Sequence, residues 1–119
     1  MPSAALCPDA RVIAHSRRLE GRIAVVTGST RGAGLVVAAC LARQGAQLML
    51  NGLGPAAASE RIRARLAAEH EVEVLHCGAD LSDPAAVDGM MGFARDVLGP
   101  IDILVNTAVV EDLAAGGGY

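Results

Sequence analysis

Short apolar runs alternate along this chain with longer segments whose apolar positions recur every three or four residues. The runs are Ile23–Thr27 (IAVVT), Gln47–Asn51 (QLMLN), Glu71–Cys77 (EVEVLHC) and Ile101–Val105 (IDILV). The first is continuously apolar or β-branched, as suits a strand buried on both faces of a parallel sheet. The third sets Val72, Val74 and His76 against Glu71, Glu73 and Leu75, which places it nearer a sheet edge with one wetter face. Between the runs, Leu35, Ala38, Ala39 and Ala42 predict a helix over about 33–44, closed by Gly45 at the usual glycine position. Ala58, Ile62 and Leu66 predict a second helix over 56–70, with Glu60, Arg61, Arg63 and Arg65 as its solvated face. Ser82-Asp83-Pro84 starts a third, which carries Val87, Met90, Met91, Ala94 and Leu98 inward and stops at Gly99-Pro100.

The order β-α-β-α-β-α-β, with crossovers of this length, predicts an α/β fold with helices on both faces of a parallel sheet. Right-handed crossovers and a reversal after the third strand give the strand order 3-2-1-4, a partial doubly wound (Rossmann) sheet. Its switch point falls between the first and fourth strands. There the stretch IAVVTGSTRGAG runs a buried strand into a loop with Gly28, Gly32 and Gly34 and on into a helix. Glycines at a strand end allow a sharp turn and close approach of a ligand, and the amides of the following helix face an anion. A strand, a glycine loop and a helix in this order are the geometry of a dinucleotide site.

Length and composition narrow the picture. The 119 residues suit one domain, 19–108, between an extension (1–18) and a tail (109–119) that both lack periodicity. A formal charge of −3 leaves no footprint for nucleic acid or an anionic membrane, and no apolar run is long enough to span a bilayer. Cys7, Cys40 and Cys77 imply no disulfide framework, and His15, His70 and His76 do not fall at metal-ligand spacing. The expectation is a reducing, cytoplasmic setting. Every basic side chain is Arg or His, because the chain contains no Lys.

The motif LEGRIAVVTGSTRGAGL resembles the opening of the classical short-chain dehydrogenases/reductases. Thr27-Gly28-x-x-x-Gly32-x-Gly34 matches their glycine loop, Ala79-Asp80-Leu81 their adenine-contacting element, and Asp102–Asn106 the strand before their Asn-Asn-Ala-Gly motif. LMLNGLG at Leu48–Gly54 is similar, more narrowly, to the bacterial 3-hydroxybutyrate dehydrogenase branch. The resemblance implies that Gly28, Gly32 and Gly34 admit a pyrophosphate, and that Ser29 and Thr30 bond phosphate or ribose. It further implies that Asp80 accepts from the adenine amino group, Leu81 covers the ring, and Asn106 steadies the loop by the nicotinamide ribose. Asp80 has a plainer alternative as a turn residue before Ser82-Asp83-Pro84.

The cofactor implied is a nicotinamide dinucleotide. NAD sites usually carry an acid after the second strand, whereas this chain has Asn51 there and no acid between Gly28 and Glu60. Arg31 stands where NADP-preferring relatives often carry a base, and a guanidinium suits a 2′-phosphate. The hydroxybutyrate-type resemblance implies NAD, so NAD is the expectation and NADP the alternative. A methyltransferase on the same sheet is a further alternative, against which the missing acid counts.

The family's chemistry needs a Tyr, a Lys four residues later to lower its pKa, and a Ser that orients substrate. Tyr119 is the single Tyr, with no Lys anywhere. Where relatives read Asn-Asn-Ala-Gly, this chain reads Asn106-Thr107-Ala108-Val109, then VEDLAAGGGY. The expectation is a gene truncated or frameshifted after about Ala108. Its product would be either a hydride-transferring oxidoreductase by ancestry or an inert nucleotide-binding fragment or partner of a full-length relative. The fourth strand would then be an open edge prone to self-association.

Overall fold

A computed structural model describes residues 17–107. Residues 1–16 and 108–119, which hold most of the extension, the whole tail, Cys7, His15 and Tyr119, lie outside the described residues. The elements in chain order are β1 (Ile23–Thr27), α1 (Gly32–Arg43), β2 (Gln47–Asn51), α2 (Ala56–His70), β3 (Val74–Cys77), α3 (Pro84–Val97) and β4 (Ile103–Asn106). The strands pair in parallel in the order β3-β2-β1-β4, as the crossovers predict.

Alternation along the two central strands builds two cores. Ala24 and Val26 of β1 with Leu48 and Leu50 of β2 face α1 and α2, where Ala38, Ala42 and Leu66 meet them. Val25 and Met49 face the other way, onto Met90 and Ala94 of α3 and Ala79. These strand residues are fully buried, which is why β1 and β2 read as continuous apolar runs.

Two strands begin later than the pattern predicts. Glu71 caps α2 in the left-handed conformation, at φ +55°, and the ladder with β2 starts only at Leu48–Val74. The Val72/Glu73 alternation therefore belongs to the turn that brings the chain onto the sheet. At β4, the Asp102 carboxylate accepts from the Ile23 amide at 3.0 Å, while its own amide donates to the Ile23 carbonyl at 2.9 Å. Asp102 thus anchors the strand start, and regular β geometry follows from Ile103. Asp83 caps α3 by accepting from the Ala85 amide at 3.0 Å, with Pro84 in the first turn. Arg63 does more than solvate α2: it pairs with Glu60 at 2.6 Å and donates to the Val74 carbonyl at 3.1 Å, tying the helix to the edge strand.

Candidate functional site

The carboxyl ends of the strands are sewn together by polar side chains at or just beyond the ends of β1, β2 and β4. Asn51, at the end of β2, is almost completely buried. Its Oδ1 accepts from the Gly28 amide at 3.2 Å, and its Nδ2 donates to the carbonyls of Cys77 at 3.1 Å and Ala79 at 3.0 Å. Ser29 is wholly buried; its hydroxyl donates to the Val26 carbonyl at 2.7 Å and accepts from the Asn51 amide at 3.0 Å. On the other side, the Thr107 amide donates to Thr27 Oγ1 at 3.0 Å, and Thr107 Oγ1 donates to the Thr27 carbonyl, with the Gly28 carbonyl at 3.3 Å.

This scaffold holds the glycine loop against the start of α1. Gly28 and Gly32 take φ of +57° and +59°, which a side chain would strain. At Gly34 the need is for closeness: a Cβ there would lie 2.0 Å from the Gly28 carbonyl oxygen and 2.5 Å from Thr107 Oγ1. No side chain caps the first turn of α1, and it contains no acid. Its first amides, without a side-chain cap among the described residues, and the positive end of the helix dipole therefore lie at the carboxyl end of β1.

Two sequence-predicted ligand side chains turn inward. Ser29 cannot offer its hydroxyl to a phosphate or ribose, because both its bonds are spent inside the fold. Asn51 occupies the position of the usual acid, but its amide faces β3 and the loop rather than the opening. Both are corrected to struts of the site. Thr30 lies against the β2–α2 loop, with its Oγ1 2.1 Å from where a Cβ on Gly52 would stand. Arg31 is exposed; its carbonyl accepts from the Leu35 amide at 3.3 Å, and its guanidinium makes no hydrogen bond or ion pair among the described residues.

Asp80 is exposed and takes the turn role. Its Oδ1 accepts from the Ser82 hydroxyl at 2.7 Å and the Ser82 amide at 3.0 Å, which hold its carboxyl below the usual range. That is a turn-stabilising role, yet no partner occupies Oδ2 among the described residues. Leu81 is half-buried against the α3-side core, and Asn106 is exposed at the end of β4, its Oδ1 3.5 Å from Thr27 Oγ1. Thr107 is the residue that the sequence hides: it stands where the family has its second Asn, and only its contacts with Thr27 and Gly28 reveal its part.

A separate cleft of about 340 Å³ lies at the opposite, amino-terminal end of the strands, lined by Arg17, Glu20, Gln47, Glu71 and Glu73 among others. Open parallel sheets bind ligands at the carboxyl ends, which makes the glycine loop, not this cleft, the candidate site.

A four-stranded parallel sheet with a glycine loop at its switch point defines a Rossmann-type dinucleotide-binding fold. The family profile described as short chain dehydrogenase matches residues 22–116, reaching into the tail that periodicity alone sets apart. The chain belongs to the short-chain dehydrogenase family. It is 43% identical over 97 residues to a D-beta-hydroxybutyrate dehydrogenase of Cupriavidus necator, covering 82% of this chain and 37% of the relative. A D-beta-hydroxybutyrate dehydrogenase of Rhizobium meliloti is 40% identical over 90 residues, covering 76% and 35%. Among solved structures, L-sorbose reductase from Gluconobacter frateurii, complexed with NADPH and L-sorbose, superposes with a TM-score of 0.72 at 32% identity, covering 78% of this chain and 35% of that one. The chain spans little more than a third of the length of these two relatives. Among the described residues, no helix is long and apolar enough to cross a membrane.

Proposed function

We propose that this chain is the cofactor-binding part of an oxidoreductase that moves hydride between a nicotinamide dinucleotide and a secondary alcohol or ketone, in the manner of 3-hydroxybutyrate dehydrogenases. The observation that carries the reading is the uncapped, acid-free amino end of α1, set over the strand ends by Gly34 against the Gly28 carbonyl. In this reading Gly28, Gly32 and the first amides of α1 receive the pyrophosphate, and Thr30 lies beside it. Asp80 offers Oδ2 to the adenine amino group, Leu81 lies under the ring, and Asn106 stands at the nicotinamide side. The cofactor, when bound, supplies the hydride acceptor or donor; these residues supply binding and orientation.

The resemblance to hydroxybutyrate dehydrogenases favours NAD. The Arg31 guanidinium, without a partner among the described residues, and the lack of an acid between Gly28 and Glu60 leave the site open to a 2′-phosphate as well. The free thiols of Cys40 and Cys77 suit a reducing, cytoplasmic setting. With no Lys in its 119 residues, the chain is expected to bind cofactor without turning over substrate. Fluorescence titration of the purified chain with NADH and NADPH, beside a 3-hydroxybutyrate oxidation assay, tests this. Binding without turnover is expected. Failure to bind either dinucleotide overturns the site, and turnover overturns the claim that this chain alone is inert.

A further inference from the structure

The loop from Gly52 to Pro55 follows directly on the position where dinucleotide sites meet the adenosine ribose. Its first residue is buried and held from two sides. From the glycine loop, Thr30 lies so close that Gly52 has no room for a side chain. From β3, the half-buried His76 brings Nε2 to 3.2 Å from the Gly52 carbonyl oxygen. A carbonyl only accepts, so His76 Nε2 carries the proton in this contact. Gly78 packs beside the same carbonyl, at 3.5 Å from where its Cβ would stand. A buried carbonyl needs a donor, and here the donor is a side chain reaching across from the neighbouring strand.

We infer that His76 is a positioning residue for the adenosine end of the cofactor. By anchoring the Gly52 carbonyl it sets the height of the Gly52–Pro55 loop against Thr30, and hence the seat of the adenosine ribose. The inference rests on the dinucleotide reading above. His76 does not itself touch the ligand, so its effect passes through a single hydrogen bond. Losing such a bond lowers affinity by about three- to tenfold when the loop it holds forms part of the seat.

The test is calorimetric titration of the 119-residue chain with ADP-ribose, for the natural protein, His76→Leu and His76→Gln. Gln places an amide donor near the position of Nε2, whereas Leu fills the space without donating. The expected result is a three- to tenfold loss for His76→Leu and recovery to within about twofold for His76→Gln. His76→Ala replaces His76→Leu if the latter does not fold. The inference is overturned if removing the donor leaves ADP-ribose affinity within about twofold of the natural protein, or if Gln is as weak as Leu. A natural protein that binds no ADP-ribose defeats the dinucleotide reading itself, which separates the two failures.

Discussion

Replacing Asn51 with Ala removes the side chain that joins three strand ends. Its amide makes three hydrogen bonds in a site with almost no solvent, to the Gly28 amide and to the Cys77 and Ala79 carbonyls. Each is worth about 1 kcal/mol net, and a group left buried without a partner costs about 1–3 kcal/mol. Water entering the small space left by the amide would satisfy part of that need, so the loss should be about 3 kcal/mol. A domain of this size has about 5–15 kcal/mol of stability in all, so the effect is large. Urea unfolding followed by circular dichroism reads it directly: the midpoint should fall while the slope, which follows exposed surface, stays unchanged. Asn51→Asp sharpens the test. Its carboxylate still accepts from the Gly28 amide but faces two carbonyls where the native amide donated. Burial and those carbonyls raise its folded-state pKa, because the protonated acid can donate to one of them. The deficit should therefore be full at neutral pH and shrink as pH falls through the raised value. A midpoint for Asn51→Ala that matches a loss under about 1 kcal/mol would refute the view of Asn51 as a strut.

Further outcomes follow from the same geometry. Gly34→Ala sets a methyl 2.0 Å from backbone that cannot yield cheaply, so it should lose about 3 kcal/mol or more and weaken NADH binding; thermal melting and titration check it. The Asp80 carboxyl is held low by the Ser82 hydroxyl and amide, so its contribution is complete above the ordinary carboxylate range and is lost as pH falls through the lowered value. Ser82→Ala removes the larger of those bonds and should flatten the acid limb of the stability profile; an unchanged limb would count against it. Leu104 is 53% exposed on β4, at the edge of the sheet among the described residues. Leu104→Lys should reduce any self-association seen by light scattering, and a natural chain that stays monomeric at high concentration would refute the edge argument.

Much of the fold was legible because the relevant signals are periodic. β1 and β2 are buried on both faces, so their apolar runs carry their boundaries, and Gly45 and Asp83-Pro84 mark helix ends by backbone chemistry. The inner site was less legible. Ser29 and Asn51 looked like ligand-facing residues because polar side chains beside a glycine loop often are. Composition does not say which way a side chain points, and here the buried amides and carbonyls of three converging strand ends took them first. The Thr107 hydroxyl and the His76 ring act through backbone carbonyls far away in sequence, at separations of 80 and 24 residues. No local pattern encodes such contacts.

The alanines that α1 sets against the sheet have a consequence away from the core. Ala38 and Ala42 are completely buried and have no rotamers with which to adjust. The helix therefore rests on the strands as a stiff lever lies on a low fulcrum, with its tip over the glycine loop. A slightly larger residue at either position raises the fulcrum, and the tip swings with it. On the dinucleotide reading proposed above, cofactor affinity can thus be tuned, or lost, by changes in the hydrophobic interior that no ligand ever meets.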